Sequence, residues 1–157
     1  AFAAAQPVLA QMTRRLEHLG PVGTGAAMKL AINLPLMVYW VALGEALGLV
    51  LKRGIDPSLA LDILADSSGA IGAAKKRVPP IRDMLVEGNP GAVNITLDVA
   101  LKDMRLMEAL AAANGHPSPV VSAARGHGEA AAEAGWADLD ASLMGLLGLS
   151  QPKREDG

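Results

Sequence analysis

The sequence predicts an all-α fold: a multi-helix bundle around one long, central, proline-bent helix. Three observations carry this. Apolar residues make up 51% of the 157 residues but aromatics only 3%, so the core must be Ala, Leu, Val, Ile and Met. Ala and Leu are strong helix formers, and Ala lets helix axes approach closely. Cap-then-proline and glycine stop signals recur along the chain, whereas alternating β-branched runs bounded by hairpin turns are missing.

The elements follow in order. Residues 1–15 read as a helix, with Pro7 tolerable near a first turn or bend. Leu16–Leu19 is too short to classify, and a terminal strand is one option. Gly20-Pro21-Val22-Gly23-Thr24-Gly25 is a turn-rich connector. From about Ala26 to Lys52 a single helix is expected, ended by Gly54, with Lys52 and Arg53 at its negative end. Pro35 should bend it. Asp56-Pro57 is an N-cap followed by proline at the first helical position, opening a helix that stops near Asp66-Ser67-Ser68-Gly69. A short helix over Ala70–Arg77 is expected, then a second opened by Pro79-Pro80 and covering Ile81–Val86. The next should run from about Ile95 to Asn114, stopped by Gly115. Ser118-Pro119 starts another, up to Gly135, and Asp138 caps a last one to about Leu147. Residues 151–157 read as a flexible tail.

Charge narrows the function classes. Fourteen basic residues against sixteen acidic ones give a net charge of −2, with no long basic run and no aromatic–basic interleaving, so neither a nucleic-acid footprint nor an interacting basic tail is expected. There is no cysteine, which excludes disulfides, thiolate metal sites and cysteine nucleophiles and is compatible with a cytoplasmic setting. Leu30–Leu51 is long enough to span a bilayer, but Asn33, Pro35 and Glu45 interrupt it and aromatic belts do not flank it. A buried central helix accounts for its apolarity without a membrane.

The strongest chemical lead is Lys29 with Asn33. They are one helical turn apart, share a face, and sit at the start of the most apolar segment. Lys29 is either a helix-start lysine snorkelling into solvent, or a general acid or substrate-orienting cation. Asn33 is either a helix–helix hydrogen-bonder or a ligand for a substrate hydroxyl or carboxylate. Asp98 and Lys102 have the spacing of a surface ion pair. His18, His116 and His127 lack metal-ligand spacing and read as solvated or helix-end residues, so no metal is expected. Ser67 and Ser68 lack the glycine-flanked turn of a serine nucleophile. Gly23-Thr24-Gly25 superficially matches a dinucleotide fingerprint, with Glu45 downstream, but that motif needs a preceding strand and a following parallel strand.

The ordered run from Gly20 through Lys29 to Asn33, the Asp66-Ser67-Ser68-Gly69 loop, Leu101-Lys102-Asp103-Met104, Gly115-His116-Pro117-Ser118-Pro119 and Gly135-Trp136-Ala137-Asp138-Leu139-Asp140 resembles one family. It is similar to the C-terminal helical domain of the β-hydroxyacid dehydrogenases, which include 3-hydroxyisobutyrate dehydrogenase, tartronate semialdehyde reductase and the 6-phosphogluconate dehydrogenases. The resemblance covers roughly 1–148. It implies an NAD(P)-dependent oxidoreductase acting on a small 3-hydroxy acid or its semialdehyde. It also implies that 1–19 is the tail of a missing Rossmann domain and 20–150 the helical substrate and dimerisation domain. Lys29 matches the catalytic lysine, Asn33 the substrate-binding amide, and Lys102 the lysine that approaches the cofactor, with Asp103 fixing helix geometry.

Three departures accompany the match: Ile32 stands where the family often has a second amide, Ile95 or a neighbour replaces an aromatic, and the Rossmann half is not in this sequence. NAD or NADP would be bound mainly by that half, which would be a partner of this domain in a parent homo-oligomer. The isolated chain is therefore expected to be inactive. The alternative is a non-catalytic helical dimerisation or interaction module.

Overall fold

The computed structural model describes residues 2–150; Ala1 and the tail expected over 151–157 lie outside the described residues. The fold is all-α, as the composition and punctuation predict. Six α-helices follow one another: α1 (Phe2–Met12), α2 (Thr24–Leu51), α3 (Pro57–Asp66), α4 (Ala74–Glu87), α5 (Leu97–Ala113) and α6 (Pro119–Ala131). A π-helical turn, Ala132–Trp136, and a 3₁₀ segment, Ala141–Leu146, close the chain.

Helix α2 is the axis. Its buried residues Met37, Trp40, Leu43, Gly44 and Leu47 recur at three- and four-residue steps, so they form one stripe toward the core. That stripe meets α3, α5, α6 and the 3₁₀ segment. The helix is continuous through Pro35. Gly23, at φ 101°, starts it, since that left-handed conformation suits glycine. The tightest packing lies between Gly44 and Gly145: a Cβ on Gly44 would sit 1.8 Å from the Gly145 carbonyl oxygen. Helix α1, by contrast, buries none of its residues.

Several sequence expectations are corrected. No strand forms over 16–19 among the described residues. Pro79-Pro80 does not open a separate helix: both prolines lie inside α4, which runs unbroken from Ala74 to Glu87. The missing N–H groups forfeit two intrahelical bonds, and burial of Val78, Ile81 and Met84 in the common core holds the turn together. The last cap is Asp140 rather than Asp138. The Asp140 carboxylate accepts from the Ser142 N–H, and the element that it caps is 3₁₀. Helix α6 gives way to the π turn before Gly135, which stands at φ 93°. Asp56 does cap α3, accepting from the Leu59 N–H at 2.9 Å.

Candidate active site

Helix α5 buries Leu97, Ala100, Leu101, Met104 and Met107 and, among them, one carboxylate, Asp103. A buried charge costs heavily unless it is paired. The partners come from α2. Lys29 Nζ donates to Asp103 Oδ2 in a close ion pair, and Asn33 Nδ2 donates to the same oxygen at 3.4 Å. The lysine side chain remains 56% exposed while the aspartate is 10% exposed, so the pair straddles the boundary between core and solvent. The i, i+4 spacing thus aims both α2 side chains at one anchor. Of the ammonium's three N–H donors, the ion pair occupies one, leaving two to meet a ligand.

Asn33 also lines a cleft of about 640 Å³. Leu36, Met37 and Trp40 continue one wall down α2. The opposite wall is polar: Lys76 and Arg77 from α4, Asn94 from the loop before α5, and Asp140 with Ser142. The Asp140 carboxylate knits this wall. Oδ1 accepts from the Ser142 hydroxyl at 2.6 Å and its N–H at 3.0 Å. Oδ2 accepts from the Asn94 N–H at 2.8 Å and the Ile95 N–H at 3.4 Å, and lies 3.5 Å from Arg77 Nη1. Burial pushes its pKa up, but those bonds and Arg77 outweigh burial and hold it below the ordinary carboxylate value.

The structure therefore brings Lys29 and Asn33 together and adds Asp103, to which the sequence assigns only a geometric part. It does not bring in Lys102. That residue is exposed on α5, about 100° around the helix from Asp103, and among the described residues it forms no ion pair with Asp98. Ser67 is spent on closing α3, donating to the Leu64 carbonyl at 2.8 Å. His127 is neither solvated nor at a helix end. It is part-buried within α6, and Nε2 donates to the Met144 carbonyl at 3.0 Å. Among the described residues no three His, Asp or Glu side chains converge on a metal position.

The glycine connector lacks the preceding strand of a dinucleotide fingerprint among the described residues, and the Thr24 N–H donates to the Pro21 carbonyl. The N-terminus of α5 is likewise satisfied: Leu97 and Asp98 donate to the Leu139 and Ala137 carbonyls, and Thr96 caps Val99. No sequence signal marks Asn94, Lys76, Arg77 and Asp140 as cleft residues, because only tertiary packing brings α4, the 94–96 loop and the 3₁₀ cap together.

A family model for the NAD-binding region of NADP-dependent 3-hydroxyisobutyrate dehydrogenase matches residues 23–147. The mitochondrial 3-hydroxyisobutyrate dehydrogenase of Bos taurus is 32% identical over 128 residues, covering 80% of this chain and 38% of that protein. The chloroplastic glyoxylate/succinic semialdehyde reductase 2 of Arabidopsis thaliana is 32% identical over 140 residues, covering 89% of this chain and 38% of its own length. Among solved structures, a 3-hydroxyisobutyrate dehydrogenase from Salmonella typhimurium shares the fold at a TM-score of 0.80 and 24% identity, over 94% of this chain and 50% of that one. The Mycobacterium tuberculosis 3-hydroxyisobutyrate dehydrogenase solved with L-serine gives a TM-score of 0.73 at 29% identity, over 91% and 50%. The chain thus spans half or less of the length of these relatives.

Proposed function

The chain belongs to the 3-hydroxyisobutyrate dehydrogenase family, and from that premise we propose that it is the helical substrate domain of an NAD(P)-dependent oxidoreductase. The enzyme would interconvert a small 3-hydroxy acid and its semialdehyde or oxo form. The observation that carries this reading is the convergence of Lys29 and Asn33 on buried Asp103 beside the cleft.

The nicotinamide, when bound, supplies or takes the hydride. Exposed Lys102, beside Asp103 on α5, is the cation that would meet such a cofactor. In the reductive direction Lys29 gives a proton from Nζ to the substrate carbonyl oxygen, which becomes the hydroxyl; in oxidation the hydroxyl proton returns to the Nζ lone pair. Asp103 holds the ammonium in place, so Lys29 pays little rotamer entropy at the moment of reaction. Asn33 orients the substrate: its amide offers a donor and an acceptor to a hydroxyl or carboxylate.

Residues 1–19 are assigned to the end of a Rossmann domain that holds most of the cofactor. Support comes from α1, which buries none of its residues, and from the chain's spanning half of the solved relatives. The isolated chain should accordingly show no nicotinamide-dependent turnover. In the full-length parent, Lys29→Ala should lower kcat by roughly 10²–10⁴-fold with KM little changed. Unchanged kcat would overturn the assignment. It would favour instead the non-catalytic dimerisation module, a reading supported by exposed Met28, Ile32 and Leu49 on α2.

A further inference from the structure

We propose that the substrate is an extended hydroxy acid with a second, terminal carboxylate, which Arg77 and Lys76 bind across the cleft from Asn33. The proposal rests on the reading above, in which Lys29 and Asn33 take the reacting oxygen; the first carboxylate stays beside the reacting carbon.

Size comes first. The cleft measures about 640 Å³, the scale of sites that enclose ligands well beyond a short hydroxy acid. Its lining runs down α2 from Asn33 to Trp40, about 10 Å of helix. Met37 and Trp40 are 1% and 3% exposed and form the floor. The apolar surface presented above them comes from half-buried Leu36, Ala73 and Ile95. Ile95 is fixed through its backbone: the N–H donates to Asp140 Oδ2, and the carbonyl accepts from the Ala141 N–H at 2.9 Å. A short acid held at Asn33 leaves the far part of this lining empty, whereas a longer carbon chain crosses it.

Charge decides what the far end of that chain carries. The cleft lining holds two cations, Lys76 and Arg77, and one carboxylate, Asp140. The Asp140 side chain is 1% exposed, and N–H groups and the Ser142 hydroxyl engage both of its oxygens, so it does not face a ligand. Arg77 meets it through a single nitrogen at 3.5 Å, with 21% of the side chain exposed, which leaves most of its five N–H donors for a second anion. Lys76 is exposed and forms no ion pair among the described residues. A methyl terminus would meet these cations without pairing them. A terminal carboxylate pairs with both, and its plane matches that of the guanidinium.

The test measures kcat/KM of the full-length parent with 3-hydroxyadipate, 3-hydroxyhexanoate and 3-hydroxybutyrate. The first two share a carbon chain and differ only in ending in a carboxylate or a methyl group. The diacid should exceed the hexanoate by roughly tenfold or more, chiefly through KM. Arg77→Gln should bring that ratio close to one, and Lys76→Gln should reduce it about threefold. Arg77→Lys, which keeps a cation beside Asp140, should retain part of the preference and serves if Arg77→Gln does not fold. Ile95→Phe, which fills the cleft without changing its charge, should penalise both longer acids against 3-hydroxybutyrate. Equal rates with diacid and hexanoate, a preference for 3-hydroxybutyrate over both, or equal losses on all three acids in a folded Arg77 variant would overturn the proposal. Each of those outcomes leaves the catalytic reading standing. Absence of turnover with every hydroxy acid overturns that reading, and the terminal subsite with it.

Discussion

Two buried aspartates organise the cleft, and they are held differently. Asp103 is paired with a lysine that is itself more than half exposed, so solvent screens the pair and it contributes little to stability. Its value is positional: it fixes both Lys29 and Asn33. Asp103→Asn should therefore separate the two quantities, lowering kcat in the parent enzyme while shifting folding stability by less than about 1 kcal/mol; denaturant melts beside single-turnover rates would show it. Asp140 is the opposite case. Four hydrogen bonds from the Asn94, Ile95 and Ser142 groups, with Arg77 beside them, stabilise its charged form. Asp140→Asn turns an amide donor toward those donors and should cost on the order of 2–3 kcal/mol. Because the folded pKa is depressed below 3.8, this contribution is fully present well above that value and is lost as pH falls through the still lower folded pKa. The stability gap between protein and variant should thus be constant from neutral pH to about 5 and close in more acid solution. A gap that widened on acidification would show that the carboxyl is protonated in the fold.

At the scale of elements, α2 determines what the others can do, and its contact with the 3₁₀ segment is the least forgiving. A Cβ on Gly44 would lie 1.8 Å from the Gly145 carbonyl oxygen, and one on Gly145 would lie 2.0 Å from that of Trp40. Backbone cannot rotate aside as a side chain can, so Gly44→Ala should cost about 3 kcal/mol or more and displace the segment that carries Ser142. Gly126 makes the control. It lies in the exposed face of α6 with nothing within 4 Å of a built Cβ, and Gly126→Ala should stabilise by about 0.5–1 kcal/mol. Chemical denaturation of the two variants decides the matter.

Local signals explain which elements were legible in the sequence. Asp56-Pro57 and the apolar run behind Lys29 act within one or two turns, and both are where the pattern puts them. Pro79-Pro80 misleads because a local breaker is overridden by distant core contacts. Asp138 and Asp140 lie two residues apart, and Asp140 takes the cap through Ser142 while the distant Asn94 and Ile95 N–H groups add to its hold. In the same way Lys29 and Asn33 are visible by spacing, whereas Asp103 as their anchor and Arg77 across the cleft depend on which helices become neighbours.

For the molecule as a whole, the question is which residues belong to the bundle. Among the described residues, the buried apolar side chains run from Met37 on α2 to Leu146. Helix α1 lies outside that network. Val8 and Met12 are 64% and 76% exposed, and Phe2 stacks on His18 at 4.6 Å between ring centroids. A segment that places no residue in the core contributes little to a folding equilibrium driven by apolar burial. Removing residues 1–19 should therefore leave the thermal midpoint within about 2 °C of the intact chain. The connector argues the same way, because Val22 is fully exposed and Gly20 and Gly23 hold left-handed turns with no core contact. A clear fall in the midpoint would mean that α1 folds back onto the bundle in solution. An unchanged midpoint is what a domain junction at Gly20–Gly25 requires, with α1 free to complete a separate unit.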